Sequence, residues 1–204
     1  NMTIKTIMYS TNHTGIWVNV LSGNVNVEIK NNKFIGNFYI ALSVWSATGV
    51  ISANFIKLAD MGIESSDHPI SVPAVHISDN IVYRCRRGIA GVSGFFVNNL
   101  VIDFSDAGLF IPLFGGSGKF YNNLLVGKKG ELTDGLDYAR GTFKNNIIRN
   151  CTNAVYPWSQ QQLIVVNNII DSCGTIFDLS NSDVVTGNIS YNNFYGYDEI
   201  STDT

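Results

Sequence analysis

Short runs of alternating apolar and polar residues recur along the chain, and each run leads into an asparagine that precedes a further apolar stretch. These asparagines are spaced 19 to 26 residues apart and comprise Asn32, Asn54, Asn80, Asn99, Asn123, Asn146, Asn168 and Asn188. A repeat of this length is typical of stacked structural units rather than of a mixed globular core.

Every unit has the same order of elements. One strand, such as 25–30, leads into the asparagine, and a second, such as 33–35, follows it. A third strand usually begins with glycine and an aliphatic residue, as at Gly88 and Ile89. Alternating apolar positions over such short runs predict strands, and no segment keeps the 3.6-residue period of a helix. The sequence therefore predicts an all-β solenoid of about eight coils with three short strands per coil.

The repeat covers about residues 24–195, so the whole chain, 1–204, is interpreted as one domain. Residues 1–23 are expected to form an irregular or partial first coil, and residues 196–204 a polar tail. A stack of strands with bare ends would expose pairing edges, and neither end offers a convincing cap. We therefore expect the chain to be part of a longer protein.

The repeat resembles the right-handed parallel β-helix superfamily, which includes the pectate-lyase-like proteins and the carbohydrate-binding and sugar-hydrolase repeat proteins. The resemblance implies a single-stranded right-handed parallel β-helix in which the asparagines point inward as a ladder. Amides stacked about 4.8 Å apart can bond to one another and to the turn backbone. The resemblance also implies a secreted or cell-surface protein whose partner is an oligosaccharide or polysaccharide.

Charge and hydropathy narrow the possible partners. The net charge of −3 argues against nucleic acid, which calls for a basic face. No apolar run approaches 18 residues, so no membrane span is expected.

The three cysteines each lie five residues after a ladder asparagine, at Cys85, Cys151 and Cys173. This common position predicts a stack of small buried thiols. Cys151 and Cys173 are on consecutive coils, where a disulfide is the alternative. The spacing does not match a zinc site.

One face of the predicted stack carries most of the chemistry. The third strands align on the aliphatic residues Ile40, Ile63, Ile89, Leu109, Leu136, Val155 and Ile176. The next residue in each strand should point outward, which gives the row Ala41, Glu64, Ala90, Phe110, Asp137, Tyr156 and Phe177. The resemblance places a sugar groove on this sheet. The predicted substrate-binding residues are His68, Arg86, Asp106, Phe110, Asp137, Tyr156 and Trp158.

The segment 60–69 is the richest candidate for catalysis, because it holds three carboxylates and a histidine. Glycoside hydrolases use two carboxyl groups flanking the scissile bond. We predict Asp60 and Asp67 as the acid and base, with Glu64 as the substitute and His68 either binding a sugar hydroxyl or orienting Asp67. Two Asp residues seven apart also resemble the catalytic pair of β-helical lacto-N-biosidases.

Two alternatives remain open. The first is a polysaccharide lyase, in which Arg84, Arg86 or Arg87 would bind or deprotonate a uronate. Asp103 and Asp106 would hold Ca²⁺ through their carboxylate oxygens. Apart from that Ca²⁺, no cofactor or metal is expected.

The other alternative is a non-catalytic, carbohydrate-binding or structural β-helix of the phage-tailspike or adhesin type. Its partners would be the rest of a longer chain or the other members of a trimer. In that interpretation Asp60, Arg86 and Asp106 form a surface ion-pair ladder that contributes little to stability.

The hydrolase interpretation makes a direct prediction for Asp67. Asp67→Asn should abolish turnover and leave the fold intact, because the amide can no longer exchange a proton. Unchanged activity on a cleaved glycan, in a variant with a native circular dichroism spectrum, would remove Asp67 from the site.

Overall fold

The computed structural model describes residues 2–4, 7–11, 14–19, 25–45, 47–66, 75–91, 94–111, 118–157, 162–180 and 186–202. These ranges contain strands and turns but no helix, and hence no helix that could cross a membrane. In chain order, the strands are β1 (Met2–Ile4), β2 (Ile7–Thr11), β3 (Ile16–Asn19), β4 (Asn26–Lys30), β5 (Lys33–Trp45), β6 (Thr48–Ser52), β7 (Phe55–Ser66), β8 (Val75–Ser78), β9 (Ile81–Tyr83), β10 (Arg87–Gly91), β11 (Gly94–Val97), β12 (Leu100–Phe104), β13 (Ala107–Phe110), β14 (Gly118–Tyr121), β15 (Leu124–Gly127), β16 (Asp134–Ala139), β17 (Gly141–Lys144), β18 (Ile147–Arg149), β19 (Asn153–Pro157), β20 (Gln162–Val166), β21 (Ile169–Asp171), β22 (Thr175–Asp178), β23 (Thr186–Ser190), β24 (Asn193–Tyr195) and β25 (Glu199–Thr202).

The strands stack into three rows. The first row precedes the ladder asparagines and forms a nine-stranded sheet in the order β1-β4-β6-β8-β11-β14-β17-β20-β23. The second row follows the asparagines, and the third row lies beyond the next turn. β5 and β7 run without a break through that turn, so they join the second and third rows into one 16-stranded sheet. Pairing within each row is parallel, which confirms the predicted parallel β-helix.

The asparagine ladder is present and saturated with hydrogen bonds. Beyond the first ladder residue, Asn32, each ladder side-chain oxygen accepts from the backbone N–H and the side-chain amide of the asparagine one coil earlier, at 2.8–3.2 Å and 2.9–3.0 Å. The other amide hydrogen of a ladder asparagine can be donated to a backbone carbonyl of the preceding coil, as from Asn123 to Phe96 at 2.9 Å. The seven ladder residues from Asn32 to Asn168 are at most 2% exposed. Burial of these amides is tolerable because their donors are paired.

The last ladder position differs from the prediction. Asn192, not Asn188, accepts from Asn168 at 2.8 and 3.0 Å. Asn188 lies inside β23 opposite Ile164 and is exposed, so its prediction as a buried ladder residue is wrong. The final repeat is 24 residues long, because its first-row strand begins later than the sequence spacing suggested.

The left-handed backbone conformation of this turn belongs to the residue before each ladder asparagine. The φ angles are 57° at Asn31, 57° at Asp79 and 56° at Asn98. Asn and Asp tolerate this conformation best among residues with a side chain, and this explains the recurrent Asn-Asn and Asp-Asn pairs of the sequence.

The interior repeats from coil to coil. Phe96, Phe120 and Phe143 pair in register on successive coils, with ring centroids 4.5 and 4.6 Å apart and interplanar angles of 13° and 5°. Rings of identical shape can therefore stack in contact at the strand spacing.

The glycine that opens many third-row strands has a steric cause. A Cβ at Gly88 would lie 2.3 Å from a methyl carbon of Val101 and 2.4 Å from the carbonyl oxygen of Gly108. The turn brings these backbones together, so any larger residue would force the coils apart.

The cysteines confirm the predicted stack of buried thiols. Cys85, Cys151 and Cys173 are free and buried. Burial raises the pKa of Cys85 to about 11, so this thiol is a packing residue rather than a nucleophile.

The two ends of the described stack are more regular than expected. The predicted partial coil 1–23 contains β1, β2 and β3, which pair with β4 and β5. In the predicted tail 196–204, β25 pairs with β22 and continues the third row.

The ladder should dominate stability. Asn123→Ala removes two donors and leaves the buried N–H and amide of Asn99 without an acceptor. We expect a loss of about 3 kcal/mol or more in the free energy of unfolding, since each unsatisfied buried group costs about 1–3 kcal/mol. Urea unfolding followed by circular dichroism measures it.

The matched control is Asn193→Ala, which changes an exposed asparagine outside the ladder. Its effect should stay within about 0.5 kcal/mol, as for ordinary surface changes. Equal losses in both variants would contradict the ladder's role.

Candidate functional site

The outward row of the third-row sheet follows the predicted register over its middle five coils. Glu64, Ala90, Phe110, Asp137 and Tyr156 lie side by side on β7, β10, β13, β16 and β19. The structure therefore brings Phe110, Asp137 and Tyr156 together as expected. Their role in binding stays a prediction.

Both ends of this row differ from the prediction. Ser43, not Ala41, pairs with Glu64, because β5 shifts its register between Ile35 and Phe38. Phe177 pairs with Val155, a residue of the hydrophobic core, so it belongs to the interior rather than to the outward row. Asp178 follows it in β22.

Arg86 links the two carboxylates of the predicted turn row. Its guanidinium binds both oxygens of Asp60 at 2.6 and 3.0 Å and one oxygen of Asp106 at 2.5 Å. Arg87 binds the same oxygen of Asp106 at 2.7 Å. The guanidinium of Arg86 thus bridges Asp60 and Asp106.

This ion pair changes the predicted chemistry of Asp60. The hydrogen bond from Arg86 lowers the pKa of Asp60, so its carboxylate stays ionised. An ionised carboxylate held by two bonds to arginine is a poor proton donor. Its predicted partner Asp67, like His68 and Trp158, lies outside the described residues.

The arginines of the lyase interpretation are also engaged. Arg84 binds Asp103 at 3.3 Å, and Arg86 and Arg87 bind Asp60 and Asp106 as above. The two carboxylates proposed for Ca²⁺ are thus partners of guanidinium groups. Among the residues described, no three His, Cys, Asp or Glu side chains are grouped to hold a metal ion.

A second carboxylate cluster lies towards the C-terminal coils. The amide of Asn153 donates to Asp134 at 2.9 Å and to Asp178 at 3.2 Å. Burial, with the charges of Asp106 and Asp178, raises the pKa of Asp134 to about 6. Burial, with the charges of Asp134 and Asp106, raises the pKa of Asp137 to about 7.

Aromatic rings surround Asp137. Tyr138 contacts Phe110 and Tyr156 edge to face, at centroid distances of 5.5 and 5.9 Å. Arg87 lies over the ring of Phe110, 4.4 Å from its centroid. Asp137 itself is 6% exposed. Burial in such surroundings raises the pKa of Asp137 to about 7, the range in which a general acid works near neutral pH.

Glu64 lies at the opposite end of the row in an aromatic pocket. Its Oε2 accepts from Ser43 at 2.8 Å and from the indole N–H of Trp45 at 3.0 Å. Trp17 and Tyr39 line the same pocket and are 65% and 63% exposed.

Sequence reasoning missed several residues of this face. Trp17 was missed because residues 1–23 were assigned to a partial coil, although Ile16 and Trp17 repeat the inward-outward pattern of Leu42 and Ser43. Asp134 was missed because it opens β16 two residues before the aligned Leu136, whereas the predicted outward row takes the residue after Leu136.

No protein-family model, curated protein or solved structure matches this chain. The parallel β-helix is established by the strand pairing itself. Membership of the pectate-lyase-like superfamily remains a prediction.

The raised pKa of Asp137 predicts a pH-dependent stability. Because the folded pKa of about 7 exceeds the unfolded value of about 3.9, the native state binds more protons in between. This contribution is complete below about pH 4 and is lost as the pH rises through about 7. Asp137→Asn should therefore be more stable than the parent at pH 8, by up to about 4 kcal/mol, and should show no such gain at pH 4.

Urea midpoints at several pH values measure this difference. Asp79→Asn is the control, since Asp79 is exposed in a turn where other coils carry asparagine. If the urea midpoints of the parent and of Asp137→Asn changed with pH by the same amount, the raised pKa of Asp137 would be contradicted.

Proposed function

We propose that this protein is a glycan-cleaving β-helix whose third-row face binds an extended saccharide. The observation that carries the proposal is Asp137, a buried carboxyl group with a pKa of about 7 on the outward row of that face. Sugar rings pack their C–H faces on aromatic side chains, and Phe110 and Tyr156 flank Asp137 on the neighbouring coils. This arrangement supports the hydrolase interpretation with a different proton donor from the one the sequence suggested.

In the proposed reaction, Asp137 gives its proton to the glycosidic oxygen as the bond to the anomeric carbon breaks. Water adds its hydroxyl to that carbon, and its remaining proton passes to a second carboxylate, which a glycoside hydrolase needs as its base. We assign this role to Asp106, which lies one coil away and whose charge acts on Asp137. Both arginines bind the same Asp106 oxygen, Oδ2, and no described residue donates to Oδ1.

The proposal also covers the superfamily to which the protein belongs and its location outside the cell. The three-row coil and the buried asparagine ladder support placement with the pectate-lyase-like β-helices. A protein that cleaves glycans of this kind would be secreted or held at the cell surface.

A non-catalytic, glycan-binding or structural β-helix is the second candidate. The ion pairs of Arg86 favour it, because they consume the charges of Asp60 and Asp106 on the same face. Such a protein would bind saccharide without forming any product.

A glycan panel tests the proposal, with new reducing ends and unsaturated products measured in parallel. We expect new reducing ends without unsaturation, and a loss of activity as the pH rises above about 7. Asp137→Asn should lower turnover at least about a hundredfold, as loss of a general acid does, and leave binding intact.

The control for this test is again Asp79→Asn, which should keep full activity. Full activity in Asp137→Asn would overturn the assignment, and loss in Asp67→Asn alone would move the proton donor to Asp67. Unsaturated products would indicate a lyase. Saccharide binding without products would indicate the non-catalytic candidate.

A further inference from the structure

The N-terminal end of the third-row face carries a small pocket around Glu64 that the proposed reaction does not use. Its volume is about 160 Å³, and it is lined by Thr14, Trp17, Tyr39, Ile40, Ser43, Trp45 and Glu64. Pockets for drug-sized ligands have volumes of about 300–1,000 Å³. This pocket therefore suits one ring or one small group rather than a whole oligosaccharide.

The carboxylate of Glu64 is held in a fixed orientation. Ser43 and Trp45 both donate to Oε2, at 2.8 and 3.0 Å. No described residue donates to Oε1, and no lysine or arginine of the described ranges pairs with Glu64. The pocket thus presents a partly buried negative charge with one oxygen left for a ligand.

The aromatic walls of the pocket, like its carboxylate, favour a positively charged ligand. Trp17 and Tyr39 expose most of their surface, at 65% and 63%. The negative face of an aromatic ring attracts cations, and ammonium groups in particular bind in pockets lined by such rings. A carboxylate beside these rings adds direct charge attraction. A uronate would be repelled, and a neutral sugar would gain only the ring packing.

We propose that this pocket binds the ammonium group of a non-acetylated amino sugar, with its ring packed on Trp17 or Tyr39 and its nitrogen at Glu64. The inference rests on the proposed function, because it makes the pocket a specificity subsite of the same glycan face. Glu64 and Asp137 are three coils apart on the outward row, a separation of about 14 Å. An extended glycan lying along the stack spans that distance with a few sugar units.

Calorimetric titration compares glucosamine oligomers with N-acetylglucosamine and glucose oligomers of the same length. We expect at least tenfold tighter binding of the glucosamine oligomers, weakened by added salt. Glu64→Gln should remove this preference, because the amide keeps the shape of the side chain and loses its charge. Glu131→Gln, which removes an exposed carboxylate on a distant turn, should keep the preference.

Equal affinity for the three oligomer types would overturn the inference, and so would an unchanged preference in a folded Glu64→Gln variant. Choline binding as tightly as glucosamine would also overturn it, since the rings would then recognise a bare cation. Binding is measured without turnover, so this test is separate from that of Asp137. A protein that cleaves neutral glycans but shows no amine preference would keep its function and lose only this subsite.

Discussion

The buried stack of asparagine amides is the interaction on which the rest of the molecule depends. One coil of this solenoid cannot bury its own polar turn, because the turn backbone needs partners from neighbouring coils. Each ladder amide meets that need by bonding to the next asparagine and to a carbonyl of the preceding coil. The bonds close only when coils sit at the strand spacing, so the ladder sets both the distance and the register of all three rows.

Register determines what the interior and the surface contain. Because equivalent positions stack directly, a residue type that recurs in sequence becomes a column in space, as the rings of Phe96, Phe120 and Phe143 do. On the third-row face, however, the outward positions vary from coil to coil. The constant interior thus supports a variable outer column, and that column is where recognition of a ligand can differ along the stack.

Carboxylates of similar sequence context meet three different environments on this face. Arg86 lowers the pKa of Asp60, burial and neighbouring charge raise the pKa of Asp137 to about 7, and Glu64 is held by neutral donors. These differences arise from the side chains on adjacent coils rather than from the strand that carries each acid. Chemistry on such a face is therefore a property of neighbouring coils taken together.

The sequence by itself determined the repeat, the three strands per coil, the buried thiols and seven of the ladder asparagines. These follow from local periodicity, which every coil repeats. It also predicted the outward alignment from Glu64 to Tyr156, because each of those strands contains a glycine or alanine followed by an aliphatic residue.

Only the tertiary structure decided which acid keeps a proton. The shift of register in β5, the inward turn of Phe177 and the bridge from Arg86 to two carboxylates each depend on contacts between coils. Such contacts join residues about 20 or more positions apart, and they do not appear as a repeating pattern in the sequence. Burial and the charges of neighbouring coils shift a pKa only after those residues have been brought together.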